Sequence, residues 1–315
     1  MREVRRSRRH AFARGTFSNL RTQFRSYFAF CVYFRRKPLP ANLDTVCGFA
    51  QFLSRSITSN SIRNYLSGIK MLHILLGYEY NFTDDLHLQL VLRGIGRMKP
   101  HVPRRARPVT PAILSAFHGC MDQSSSLHWT VFACSLVLFF TMARLGSVLP
   151  SSEATPNKLF LLRKCMNFSR EGMLVTILHT KTIQFGERRL HIPLVRMGSH
   201  LCPVSAYRRS LGFLSSGVQV PAFVVNQDGV NKRLTKSLFV STFREVLRVG
   251  GDEDAMGFTG HSFRRGGASW AFRAGIPGEI IQVCGDWSSD AYKRYLEFSI
   301  ENRIQIASVF AGSLL

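Results

Sequence analysis

Residues 260–299 read GHSFRRGGASWAFRAGIPGEIIQVCGDWSSDAYKRYLEFS, and the interpretation of the whole chain turns on them. They hold His261, Arg264, Trp287 and Tyr295, a basic and aromatic set that ends in a phenol and has no metal-ligand spacing. A helix opens at Thr259/Gly260. His261 and Arg264, three residues apart, lie on one face of it and can converge on a single phosphate. Gly266, Gly267, Ala268 and Ser269 follow, so this helix can pack closely against a neighbour. Alone, the HxxR spacing is a weak signal, because an exposed polar face produces it as readily.

Its weight comes from the chemistry that the rest of the chain can supply. A phosphodiester resists cleavage because its charge repels a nucleophile and builds up on the non-bridging oxygens. Fixed cations and donors aimed at those oxygens lower the barrier, and a covalent nucleophile divides one hard step into two easier ones. Guanidinium suits the first task, since it stays charged and its planar fork matches two phosphate oxygens. Arg144 stands in TMARLGSVL, directly after the apolar run at 131–143. Lys181 stands in LHTKTIQFGERRLHIPL between two predicted strands, with Arg188 and Arg189 as rival cations. Tyr292 competes with Tyr295 as nucleophile.

Charge points the same way. The 315 residues carry a net +23, of which +15 falls in residues 1–109 and +8 in 110–315. A field of this size attracts polyanions, nucleic acid first among them. With 45% hydrophobic residues, the chain buries a core and is not a disordered basic protein. Seven cysteines form no CxxC pair, which suits a reducing compartment. No signal peptide is visible, and the run at 131–143 is too short to span a bilayer, so no membrane partner is expected. The arginine-rich N-terminus MREVRRSRRHAFAR fits a nuclear-import signal, a DNA-backbone arm, a transit peptide or a solvated tail. A nuclear or otherwise intracellular location is expected.

The patterning predicts a mainly α protein with a small antiparallel β-sheet, of α+β class. A basic tail occupies residues 1–16. Four helices follow in 17–98: FSNLRTQFRSYFAFCVYF, LDTVCGFAQFLSR, SNSIRNYLSGIKMLHILLG and DDLHLQLVLRGIGRM. Ser59/Asn60 are candidate caps of the third, and Gly77 ends it. A proline-rich basic linker spans 99–109. A second domain spans 110–315 and opens on Thr110-Pro111, a cap followed by proline at the first helical position. Within it LFLLRK (159–164), MLVTILHTKT (173–182) and RRLHIPL (188–194) are predicted strands, with a short one at AFVVN.

Taken in order, Arg144, Lys181, His261, Arg264, Trp287 and Tyr295 resemble the tyrosine recombinase (phage integrase-like) family, and the resemblance covers most of the chain. KTIQFGER and GDWSSDAYKRY look like the recombinases of eukaryotic mobile elements, the DIRS-like retroelements and cryptons. The resemblance implies a helical core-binding domain, a catalytic domain, and a site-specific recombinase or integrase working without cofactor or metal. It implies that Arg144 and Arg264 clamp the scissile phosphate and that Lys181, on a mobile hairpin, protonates the departing 5′ oxygen. His261 would assist proton transfer, Trp287 would donate its indole N–H, and Tyr295 would attack to leave a 3′-phosphotyrosyl link. It also implies double-stranded DNA as partner and assembly as a tetramer on it. The expected backbone contacts are Arg63 and Lys70, seven apart on the third helix, with Arg104, Arg105 and Arg107 in the linker. One departure stands out: the family often has an acid three residues after the first arginine, and here that position is Ser147. The missing acid implies looser organisation or a compensating partner elsewhere.

Overall fold

The computed structural model describes residues 3, 7, 10–12, 14–101, 105–214, 221–295 and 300–313. The chain divides into two compact units, Met1–Arg104 and Arg105–Leu315.

In the first unit the described residues form four helices: α1 (Arg14–Tyr33), α2 (Leu43–Leu53), α3 (Ser59–Leu76) and α4 (Leu86–Met98). Their starts follow local chemistry. Asn42 accepts the amide of Thr45 to open α2, and Asp85 accepts those of His87 and Leu88 to open α4. α3 is capped by Thr58, one residue ahead of the expected Ser59/Asn60, through its contact with the Ser61 amide. Gly77 ends α3 in the left-handed region at φ 81°, where a Cβ would be strained. Tyr27, Phe30, Phe49, Ile62, Ile69 and Leu92 build the core. Within it His73 accepts the Ala41 amide on Nε2 (2.9 Å) and donates from Nδ1 to the Ile69 carbonyl (2.8 Å), which fixes one neutral tautomer.

The second unit opens with α5 (Pro111–Cys120), α6 (Ser126–Thr141) and the one-turn α7 (Leu145–Val148). A sheet of β1 (Met166–Phe168), β2 (Gly172–Ile177) and β3 (Leu190–Val195) follows, antiparallel throughout in the order β1-β2-β3. After α8 (Pro203–Leu211) come the hairpin β4 (Val224–Gln227) and β5 (Val230–Arg233), α9 (Lys236–Val249), α10 (Gly260–Arg273) and α11 (Gly278–Cys284). A 3₁₀ turn, Asp290–Tyr295, and α12 (Ile300–Gly312) complete the described chain. Ile304, Ile306, Val309 and Phe310 of α12 are exposed. No described helix is long and apolar enough to cross a membrane.

α6 is the centre of this unit, with every residue from Val131 to Phe139 buried, and it is apolar all round because it is surrounded. The segment 159–164 is not a strand. Asn157–Leu159 and Arg163–Cys165 are 3₁₀ turns, and Leu162 makes a single antiparallel bridge with Pro221. Phe160 and Leu161 are buried in succession, so the apolar run reports burial without the alternation of a half-buried strand. β2 stops at Ile177 and β3 begins at Leu190, which leaves 178–189 as a loop where strand had been expected to continue.

The small residues of α10 do what their size allows. A Cβ on Gly266 would run into the Val109 carbonyl, and one on Gly267 into the Phe139 carbonyl at the end of α6. The two helices thus meet at backbone distance, and Gly267→Ala is expected to destabilise the second unit by about 1–3 kcal/mol. Gly94, inside α4 with open space around its Cβ position, is the control. Gly94→Ala should stabilise the first unit by roughly 0.5–1 kcal/mol, and thermal melting of both variants checks the pair.

Candidate active site

Met142 follows α6 in the left-handed region at φ 50°, and this turn sets Arg144 at the start of α7. On the facing helix a reciprocal cap opens α10. The Thr259 side chain accepts the His261 amide (3.2 Å), and Ser262 Oγ accepts the Thr259 amide (2.8 Å). With its start fixed, α10 leaves His261 exposed in the first turn and buries Arg264 one turn later, at 2% exposure.

Arg264 is held on two sides. Its Nη1 donates to the Met142 carbonyl (2.5 Å), and its guanidinium carbon lies 3.7 Å from the centre of the Trp287 ring. Among the described residues its buried Nη2 has no hydrogen-bond partner. Burial first, then the like charge of Arg144, pushes the Arg264 pKa down to about 9, while Tyr295 and Asp286 oppose the shift. The group therefore stays cationic at neutral pH.

Trp287 belongs to a small cluster with Met142, Ala268, Ile281 and Tyr292, and Tyr295 packs against its edge. Tyr292 is 3% exposed and serves as core. Tyr295 is half-buried, its ring centre 5.8 Å from that of Trp287, and its carbonyl accepts from Ser269 Oγ. The two phenols differ in setting: Tyr292 lies within the buried cluster and Tyr295 stands at its edge.

Asp286 is a residue the sequence reading passed over. It sits at φ 56°, 7% exposed, immediately before Trp287. Its carboxylate accepts Thr180 Oγ1 (3.0 Å), Thr182 Oγ1 and Arg188 Nη2, and lies 3.8 Å from Arg144 Nη1. Burial would raise its pKa, but the hydrogen bonds from Thr182, Arg188 and Thr180 outweigh burial and hold the carboxyl below its ordinary value. Arg144, Ser147, Thr180, Arg264 and Asp286 line one narrow cavity. Ser147 is buried there, and Asp286 brings to that cavity the carboxylate which position 147 lacks. The signals were a charged residue wedged between Gly285 and Trp287 and a Thr-Lys-Thr triplet far upstream.

Lys181 lies on the 178–189 loop, exposed between Thr180 and Thr182. Its rival Arg188 is the loop cation that reaches Asp286, while Arg189 is exposed. Of the expected DNA contacts, Arg63 and Lys70 line one groove of the first unit, where Lys70 Nζ donates to Thr83 Oγ1 (2.9 Å). Arg105 is exposed, and Arg104 lies outside the described residues. Arg107 is engaged by Asp252 (2.5 Å) and lies over the Phe258 ring (4.7 Å), so it ties its segment to the second unit and its charge is already paired.

No family model and no curated protein matches the sequence. The fold is nonetheless that of the tyrosine recombinases. A lambda integrase (75–356) dimer bound to a COC′ core site is similar at TM-score 0.57, with 13% identity over 91% of this chain and 89% of that one. XerH recombinase in a post-cleavage complex with palindromic difH gives 0.61, with 13% identity over 92% and 77%. The Tn1549 transposon integrase with circular intermediate DNA gives 0.53, with 16% identity over 86% of each chain.

The depressed carboxyl of Asp286 has a pH signature. Its contribution to stability is fully present above the ordinary carboxylate pKa of about 4 and is lost as pH falls through its lower folded value. The melting-temperature gap between the wild type and Asp286→Asn should therefore persist from neutral pH to about 4 and close below it.

Proposed function

We propose that this chain is a site-specific DNA recombinase or integrase of a mobile element, cleaving and rejoining DNA through a 3′-phosphotyrosyl intermediate. The observation that carries the reading is the unpartnered Nη2 of buried Arg264 beside Arg144, with Trp287 and Tyr295 at the same site. A buried cationic donor without an acceptor is costly, and a phosphate oxygen satisfies it. Tyr295 Oη attacks the phosphorus, assisted by His261 in proton transfer, as the bond to the 5′ oxygen breaks. That oxygen takes a proton from Lys181, leaving a 3′-phosphotyrosine and a 5′-hydroxyl. Because the linkage keeps the energy of the broken bond, religation needs no ATP.

DNA as partner is supported by the net charge of +23 and by the DNA-bound state of the similar lambda integrase, XerH and Tn1549 structures. Under this reading the first unit is the core-binding domain, with Arg63 and Lys70 on backbone phosphates, and Arg105, at the start of the second unit, adds a further phosphate contact. Assembly as a tetramer on DNA and a nuclear or otherwise intracellular location belong to the same proposal. The exposed apolar side chains of α12 support the assembly.

Covalent capture tests it. The protein is incubated with a library of nicked random duplexes, denatured in SDS, and assayed for DNA that remains attached, beside a known recombinase as control. Adducts are expected from the wild type and Tyr292→Phe and none from Tyr295→Phe. Arg264→Ala should lower the rate of adduct formation by about 100- to 1000-fold. No adduct from the wild type, together with salt-sensitive DNA binding, would establish a DNA-binding protein that has the fold without the reaction.

A further inference from the structure

The 178–189 loop carries Lys181 yet has few anchors of its own. Of its apolar side chains, Ile183 is buried. The tip is closed on itself, with the Glu187 carboxylate accepting the amides of Gln184 (3.4 Å) and Phe185 (2.8 Å), and Gly186 turning at φ 77°. The polar contacts that tie the loop to the catalytic residues converge on one group. Thr180, Thr182 and Arg188 all donate to the Asp286 carboxylate, and the two threonines flank Lys181 directly. The same carboxylate faces Arg144 at 3.8 Å. The residue that presents it precedes Trp287, whose ring supports Arg264.

We propose that Asp286 is a positioning residue, a latch that docks the 178–189 loop onto the catalytic site and so places Lys181 for proton delivery. It takes up the organising task of the acid that Ser147 leaves unfilled, from a different element of the fold. Three donors on one loop and a buried acceptor on another make a two-part joint, and removing the acceptor's charge releases the loop without emptying the arginine pocket. The assignment of a proton to Lys181 rests on the recombinase reading; the docking itself does not.

Two measurements on the full chain separate these. In the protein without DNA, Asp286→Asn and the double variant Thr180→Val/Thr182→Val should both show faster hydrogen exchange across 178–189. Both should also be cut faster by trypsin after Lys181, Arg188 and Arg189. Unchanged exchange and cleavage would overturn the latch whether or not the protein is active. In single-turnover cleavage of a nicked duplex, Asp286→Asn should lose about 10- to 100-fold in rate. Replacing the bridging 5′ oxygen by sulfur, whose thiolate departs without a proton donor, should restore most of that loss. Equal losses on the oxygen and sulfur duplexes would place the effect at the phosphate clamp and overturn the assignment to Lys181. A wild type inactive on both duplexes would sink the recombinase reading, and the exchange data would still decide the docking.

Discussion

Arg264 brings a guanidinium to 2% exposure beside a second arginine, and much of the second unit is arranged around keeping that charge in place. Desolvating an ion costs several kcal/mol even after the protein relaxes. A like charge nearby adds to the cost. Three features offset it: the Met142 carbonyl on one edge of the fork, the face of Trp287 below it, and the Asp286 carboxylate within electrostatic reach. The first comes from the end of α6, and the other two are neighbours in the turn after α11. The site is thus a meeting of the end of α6, the first turns of α10 and the turn after α11, and it exists only when all three are packed.

Close packing is what brings them together. Gly266 and Gly267 let α10 approach the Val109 and Phe139 backbones, and the same approach delivers Arg264 to the Met142 carbonyl. Met142 itself adopts a left-handed conformation that a side chain ordinarily avoids, as does Asp286. Such conformations persist where surrounding structure over-determines them, and they concentrate at functional sites. Of the four described non-glycine residues with positive φ, Met142 and Asp286 flank the same group of arginines and aromatics, while Arg35 and Asp228 lie elsewhere.

Much of this was legible beforehand. Thr259 and the residues after it announced a helix with His261 and Arg264 in its first turns, and the four helices of the first unit lie near their expected bounds. The failures share a cause. Residues 159–164 looked like a strand because apolar runs report burial whatever the backbone does, and the buried pair Phe160 and Leu161 lies between two 3₁₀ turns. Asp286 went unweighed because an aspartate beside a tryptophan is an ordinary polar residue until its partners, about a hundred positions upstream, are folded against it.

The sequence by itself determined the order of the chemistry-bearing residues, the helix starts, the apolar centre at α6 and the excess of positive charge, since each depends on residue type and near neighbours. Tertiary structure decided which phenol is core and which stands at the edge of the arginine site. It also decided which loop cation meets the Asp286 carboxylate. Those are questions of pairing across long stretches of chain. Burial makes such pairs matter, because a charge or donor removed from water must find its partner within the protein, and only the fold says which partner is in reach.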